Sequence, residues 1–358
     1  MTRRVLLLFG GRSAEHEISC ISARSVMDAL DPARYEVVPV GITKDGAWRL
    51  LPGGPPALAE GEPMPEVTES SGEEIALSQR RTLAGASDVS VDVVFPVLHG
   101  PYGEDGAVQG FLEMAGVAYV GAGVLGSALG MDKGAQKTLL RAAGLPVVDF
   151  TVADEHEWAA NPKGIAARVR ELGLPVFVKP CNLGSSVGIT KVTDASGLAA
   201  AMDEAFAYDG RVVVEAGVEG AREIECAVLG NEDPQASLPG EIRPSNEFYD
   251  YEAKYLDASS ELLVPAPLPD EVTERIRALA IEAFRAIACE GMARVDFFLT
   301  PQGELWVNEL NTIPGFTSIS MYPKMWEATG LPYPQLLDRL IELAIERAER
   351  RRSKRIEP

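Results

Sequence analysis

Two short stretches near the carboxyl end of this sequence carry residues that could hold a hard cation. Arg294 and Asp296 are spaced two apart, and so are Glu309 and Asn311. In an extended chain that spacing puts each pair on one face. Residues 294–299 and 305–311, separated by Thr300-Pro301-Gln302-Gly303, read as a hairpin. Two carboxylates and an amide oxygen converging across it suit Mg²⁺, which keeps water and nucleotide phosphates as its other ligands. The plainer reading is a surface ladder of salt bridges around Arg294. The turn Asn311-Thr312-Ile313-Pro314-Gly315, which leaves the strand in a specific way, favours the cation site.

A second group surrounds Lys179. The lysine ends an apolar run, Val176-Phe177-Val178, and is followed by Asn182-Leu183-Gly184-Ser185-Ser186-Val187-Gly188. A loop of amides and hydroxyls beside a lysine is a sensible cover for a phosphate, although an ordinary hairpin turn would read the same. Two other patterns mislead. Gly184-x-Ser186-x-Gly188 imitates a nucleophile elbow, but a strand follows it and the last histidine, His156, precedes the serine. Gly121-x-Gly123-x-x-Gly126 imitates a dinucleotide fingerprint, but its strand is minimal and a plain Gly-rich connection accounts for it. No Gly-Lys dipeptide occurs, so a Walker loop is excluded.

The elements that must position these groups follow from hydrophobic patterning. Val5 to Phe9 is a continuous apolar run, the signature of a strand buried on both faces. Gly10-Gly11 turns the chain, apolar residues then recur at helical spacing, and residues 35–42 return as a strand, opening an α/β layer. Residues 44–89 dissolve into Pro, Gly, Glu and Ser and read as a solvated insertion, ordered in part at best. Helices are expected over residues 132–143, 271–288 and 334–351, and strands over 91–98, 187–192 and 211–215.

Length and charge narrow the function. At roughly 150 residues per domain, 358 residues make two or three domains. A net charge of −20 would repel nucleic acid and anionic membrane, so neither is an expected partner. The basic run from Arg350 to Arg355 then reads as cations at a helix C-terminus. The four cysteines are scattered and fit reduced thiols of a cytoplasmic protein. The opening apolar run is too short for a signal peptide.

Several longer motifs occur in order: His99-Gly100-Pro101-Tyr102-Gly103-Glu104-Asp105-Gly106, Met131-Asp132-Lys133, Val178-Lys179-Pro180, Gly184 to Gly188, and Phe248 to Tyr255. Arg294-x-Asp296 and Glu309 to Ser318 complete the set. From Val5 to about Leu331, outside residues 44–89, the chain resembles the D-alanine–D-alanine ligase family of the ATP-grasp superfamily. The resemblance implies an α/β (α+β) chain with a three-domain ATP-grasp fold, comprising an N-terminal parallel-sheet, Rossmann-like domain (1–121), a central subdomain (122–215) and a C-terminal subdomain (216–358). It implies that ATP lies between two antiparallel sheets and that two D-alanine molecules are joined through an acylphosphate. A homodimer is implied as well.

The same resemblance assigns roles. Lys133 and Lys179 meet the ATP phosphates, with Ser185 and Ser186 in the covering loop. Glu215, Ala216, Val218 and Glu223 are implied as adenine and ribose contacts, in a segment one residue longer than the family pattern. Asp296, Glu309 and Asn311 would hold two Mg²⁺ or Mn²⁺ ions. Glu15 would take the first D-alanine's ammonium, and Ser185 and Tyr255 would hydrogen-bond with it. Arg294 and the Gly315 N–H would stabilise an oxyanion, Lys254 would accompany the transferred phosphate, and Ser320 would hold the second substrate's carboxylate. His99 is placed near the substrates, and Met321 as an apolar wall. Tyr255 favours an amine as the second nucleophile. Competing readings are an ATP-grasp ligase for another second substrate, a dinucleotide-dependent oxidoreductase and a non-catalytic nucleotide sensor.

Overall fold

The computed structural model describes residues 2–58, 63–77, 82–84, 89–243, 261–317 and 319–355. The apolar opening run forms β1 (Arg3–Gly10), which is followed by α1 (His16–Ala29) and β2 (Tyr35–Ile42). Val5 to Phe9 are fully buried, as expected of a strand covered on both faces. β1 pairs in parallel with β2, placing Val5 beside Val37, and with β8 (Val93–Pro96) on its other side.

Part of the expected insertion is built into this sheet. β3 (Trp48–Leu50) pairs antiparallel with β2, and β4 (Glu73–Glu74) extends the edge beyond it. Val67 and Ile75 are buried, and Val67 N–H donates to His16 Nε2 (2.9 Å). Strands of two or three residues are too short to show an alternating pattern. The short strands β5 (Ala76–Leu77), β6 (Thr82–Ala84) and β7 (Val89–Ser90) make a small separate sheet. After β8 come α2 (Ala107–Met114) and β9 (Ala118–Tyr119), completing the order β4-β3-β2-β1-β8-β9.

Next come α3 (Val124–Met131) and α4 (Lys133–Ala142), the latter capped by the Asp132 carboxylate accepting from Ala135 N–H (2.8 Å). They lead into a four-stranded antiparallel sheet. Its elements are β10 (Phe150–Asp154), α5 (Glu155–Ala160), α6 (Pro162–Glu171), β11 (Val176–Pro180), β12 (Thr190–Val192), α7 (Leu198–Phe206) and β13 (Arg211–Ala216). The strands lie in the order β10-β13-β11-β12. β12 starts later than expected because residues 182–189 are spent on the Gly/Ser loop.

A third, antiparallel sheet runs β17-β16-β14-β18-β19, with β15 also on β14. It comprises β14 (Arg222–Gly230), β15 (Gln235–Ala236), β16 (Gly240–Arg243), β17 (Glu261–Leu263), α8 (Asp270–Ala286), β18 (Gly291–Leu299) and β19 (Leu305–Asn311). The chain ends in α9 (Met321–Ala328) and α10 (Tyr333–Arg352). α10 returns to the first sheet. Its Leu336, Leu340 and Ile341 join Tyr322 and Trp326 of α9 in one core with Val5, Leu7, Phe9 and Phe95. The second sheet keeps a core of its own with α6 and α7. The basic end of α10 is used internally. Arg347 is buried over the Tyr119 ring and donates to Gly121 O and Tyr119 O, while Arg351 pairs with Glu113. Among the described residues no helix is long and apolar enough to cross a membrane.

Candidate active site

The first sheet delivers its strand ends to the site. β1 stops at Gly10, whose φ of +83° and the 2.4 Å that would separate a Cβ from Ile42 O admit only glycine. The chain turns sharply there, and Glu15 stands buried at the start of α1. Beyond β8, Glu104 accepts from Gly100 N–H (2.8 Å) through one oxygen and from Ile313 N–H (3.3 Å) through the other. His99 Nδ1 lies 3.1 Å from Ile313 O, so that nitrogen carries the hydrogen and Nε2 is the acceptor. Nε2 is buried without a hydrogen-bond partner. The Ile313 peptide is thus gripped from both ends, which fixes the exit turn of β19 against the first sheet.

Burial, with the Glu15 charge adding to it, pushes Glu104 up to about 8. A carboxyl whose pKa is higher in the folded chain contributes stability at low pH that is lost as pH rises through that value. The stability difference between the native chain and Glu104→Gln is therefore expected to move in the variant's favour from roughly pH 5 to pH 8. Unfolding midpoints of the two proteins across that range check it; parallel curves would refute it.

The second sheet contributes the Gly/Ser loop and the lysines. Gly184 passes so close to Glu15 that a Cβ would sit 3.1 Å from its Oε2, and Ser185 Oγ donates to Glu15 Oε1. Ser185 and Ser186 have φ of 48° and 60°, left-handed values that cost a side-chain-bearing residue about 1–2 kcal/mol each. That strain brings the loop over Glu15. Lys133, at the first turn of α4, donates to Leu183 O (2.6 Å) and lies 3.5 Å from Glu309 Oε2. Lys179 Nζ is 2.9 Å from Glu215 Oε2. Burial works against the Lys179 charge, but Glu215 and Glu309 outweigh it and hold its pKa above the usual value.

The third sheet supplies the acidic hairpin. Asp296 is paired with Glu309 on one side and Glu225 on the other, and Arg294 is paired with Asn311. Three carboxylates thus lie side by side across β14, β18 and β19. The Arg294 guanidinium forks onto Asp296 with two bonds of 2.7 Å and reaches Glu225 Oε1 at 3.1 Å. Burial opposes that charge, but Asp296 and Glu225 outweigh it and hold the guanidinium well above its usual pKa. Beyond β19, Phe316 is fully buried edge-on against Phe95 (5.8 Å) and anchors the turn. A Cβ on Gly315 would come 2.7 Å from Ser320 Oγ, which accepts from Thr317 N–H (3.0 Å).

These elements enclose a cavity of about 330 Å³. Glu15, His99, Glu104, Lys133, Ser185, Arg294, Glu309, Asn311, Gly315, Ser320 and Met321 line it. Asp296 lies just behind, under the Arg294 fork. Lys179, Ser186, Glu215, Ala216, Val218 and Glu223 are outside its walls, on the second sheet and its Gly/Ser loop, the connection to β14 and β14 itself, although Glu223 and Glu309 both act on Lys179. Lys254 and Tyr255 fall outside the described residues. No cluster of three or more His, Cys, Asp or Glu side chains arranged for a metal occurs among the described residues. The donor chemistry of Asp296, Glu309 and Asn311 nevertheless fits a hard divalent cation: two carboxylates and an amide oxygen on adjacent strands, Glu309 and Asn311 at the wall of a cavity large enough for phosphate and water and Asp296 just behind it.

Sequence reading missed Glu104, Glu225 and Lys137. Glu225 could have been found two residues beyond Glu223 on the same strand face, and Lys137 one helical turn after Lys133. Glu104 lies inside a quoted motif, but its Ile313 partner is 209 residues away.

Comparison with known proteins identifies this arrangement. A family model described as the D-ala D-ala ligase N-terminus matches residues 4–122, and one described as the D-ala D-ala ligase C-terminus matches residues 139–342. The chain belongs to the D-alanine–D-alanine ligase family. It is 52% identical over 352 residues to D-alanine–D-alanine ligase A of Chromobacterium violaceum, covering 96% of this chain and 95% of that protein. The D-alanine–D-alanine ligase structure from Coxiella burnetii superposes with a TM-score of 0.85 at 41% identity, covering 98% of this chain and 96% of that one. The VanG D-Ala:D-Ser ligase of Enterococcus faecalis superposes with a TM-score of 0.84 at 38% identity, covering 96% and 100%. The family's ATP-grasp architecture, with a parallel-sheet N-terminal unit, is the fold seen here. Ligases of this family join two D-alanine molecules in an ATP-dependent reaction that serves peptidoglycan synthesis.

Proposed function

We propose that the cleft carries out the family reaction on two D-alanine molecules through an acylphosphate, with each residue acting as follows. Glu15 takes the ammonium of the first D-alanine, and the carboxylate of that D-alanine attacks the γ-phosphorus of ATP as ADP leaves. A carboxylate is a poor electrophile, and phosphorylation gives its carbon a good leaving group. The amine of the second D-alanine, held by its carboxylate at Ser320 and flanked by Met321, attacks that carbon. Arg294 and the Gly315 N–H stabilise the tetrahedral oxyanion, which collapses by expelling phosphate. His99 orients the first substrate through its buried Nε2.

Lys133 and Lys179 bind the ATP phosphates, and Ser185 and Ser186 cover them and exclude the water that would hydrolyse the intermediate. Glu215, Ala216, Val218 and Glu223 receive adenine and ribose. Lys254 accompanies the transferred phosphate, and Tyr255 joins Ser185 at Glu15. Asp296, Glu309 and Asn311 would hold Mg²⁺ or Mn²⁺, two ions, whose charge offsets that of the phosphate oxygens. The units 1–121, 122–215 and 216–358, a homodimer and a cytoplasmic location belong to the same proposal.

One observation supports this reading above the others. Residues more than a hundred positions apart, on three sheets, meet in one cavity, with Ser185 and Glu15 in direct contact. Phosphate release and product analysis with ATP, Mg²⁺ and D-alanine test it. D-alanyl-D-alanine is expected as the main product. L-alanine is expected to be inert, and D-lactate or D-serine offered as second substrate to react at less than about a tenth of the rate. Absence of D-alanine-dependent turnover would overturn the reaction, and preferred use of D-serine would overturn the second substrate.

A further inference from the structure

Lys137 is the most deeply buried lysine side chain beside the site, 1% exposed, on the face of α4 that also carries Lys133. Its Nζ lies 3.3 Å from Glu215 Oε1 and donates to Asn308 O (2.9 Å). Asn308 is the residue passed over where the β18–β19 register shifts, directly before Glu309. Glu215 is thus shared: Lys137 holds one oxygen and Lys179 the other. Burial alone would raise the Glu215 carboxyl, but the two ammonium groups outweigh it and keep it below the usual range. Burial pulls Lys137 itself below its ordinary value, against the attraction of Glu215.

We propose that Lys137 is a positioning residue for the nucleotide: by neutralising Glu215 it leaves the charge of Lys179 for the ATP phosphates. The argument is a charge count in a water-excluded setting. Within the trio, two ammonium groups and one carboxylate leave one net positive charge, directed from Lys179, which offsets part of the negative charge that Glu309 and Glu223 also bring to bear on that lysine. Without Lys137 the remaining Lys179–Glu215 pair is neutral, and an incoming phosphate meets one positive charge fewer. The bond to Asn308 O gives Lys137 a second effect, holding the backbone beside Glu309 in register with Asp296.

The inference rests on Lys179 meeting ATP, so the test separates the two ideas. ATP and adenosine affinities are measured by calorimetry without D-alanine, for the native chain, Lys179→Met and Lys137→Met. Lys179→Met and Lys137→Met are each expected to weaken ATP binding on the order of tenfold to a hundredfold. Adenosine, which carries no phosphate, is expected to bind Lys137→Met within about twofold of the native chain, and the KM for D-alanine to stay within about twofold. Lys137→Gln, which can still donate to Asn308 O but carries no charge, makes the same test if Lys137→Met fails to fold. Native ATP affinity in Lys137→Met or Lys137→Gln, or a loss of adenosine affinity as large as that for ATP, overturns the role of Lys137. Native affinity in Lys179→Met overturns the reading of Lys179 and, with it, this inference.

Discussion

Glu309→Gln is expected to lower turnover by roughly 10²–10⁴-fold, the equivalent of several kcal/mol of lost charge stabilisation at the phosphates. The substitution keeps the side chain's shape and hydrogen-bonding reach but removes one of the two carboxylates proposed to face the metal. Its pairing with Lys133 is loose, at 3.5 Å, and the carboxylate is partly exposed, though it also supports the charges of Lys179 and Arg294. The unfolding midpoint is therefore expected to fall modestly, by about 1 kcal/mol in equivalent stability, far less than the loss in rate. The Mg²⁺ concentration needed for half-maximal rate should rise. Phosphate release titrated with Mg²⁺, beside a thermal melt, checks both. Near-native turnover in a folded variant would place the metal elsewhere.

Arg294→Ala is expected to fail in two ways at once. Loss of the oxyanion contact should lower kcat by roughly 10²–10³-fold. Loss of the fork leaves Asp296 beside Glu225 and Glu309 with no guanidinium between them. That carboxylate row should destabilise the ligand-free chain by about 3–5 kcal/mol, the range for a buried ion pair broken by removal of one partner. Added Mg²⁺ is expected to restore part of the melting temperature and none of the rate. Differential scanning measurements with and without Mg²⁺ distinguish this from a purely structural role, in which metal would have no effect on the melt.

The sequence was informative where local pattern and chemistry coincide. The apolar run of β1, the β18–β19 hairpin and the Asp132-capped helix carrying Lys133 are each marked within a few neighbouring residues. The acidic hairpin could be read because period two forces Asp296 and Arg294 onto one face. Elements without local periodicity are not legible: β3 and β4 read as insertion because two or three residues cannot display alternation. Charges paired over long distances are not legible either. Lys137 meets Asn308, 171 residues on, and Glu104 meets Ile313. Such partners are chosen by the packing of whole sheets, which no window of sequence records.

The sequence families split this chain after residue 122, yet the apolar interior does not divide there. Val5, Leu7, Phe9 and Phe95 are covered by side chains from α9 and α10, more than two hundred residues later. A recombinant fragment ending near that split would leave one flank of its parallel layer bare to solvent. It is therefore a poor candidate for autonomous folding. The evolutionary module and the cooperative unit are different objects in this molecule, and excision experiments should keep the last two helices with the first strands.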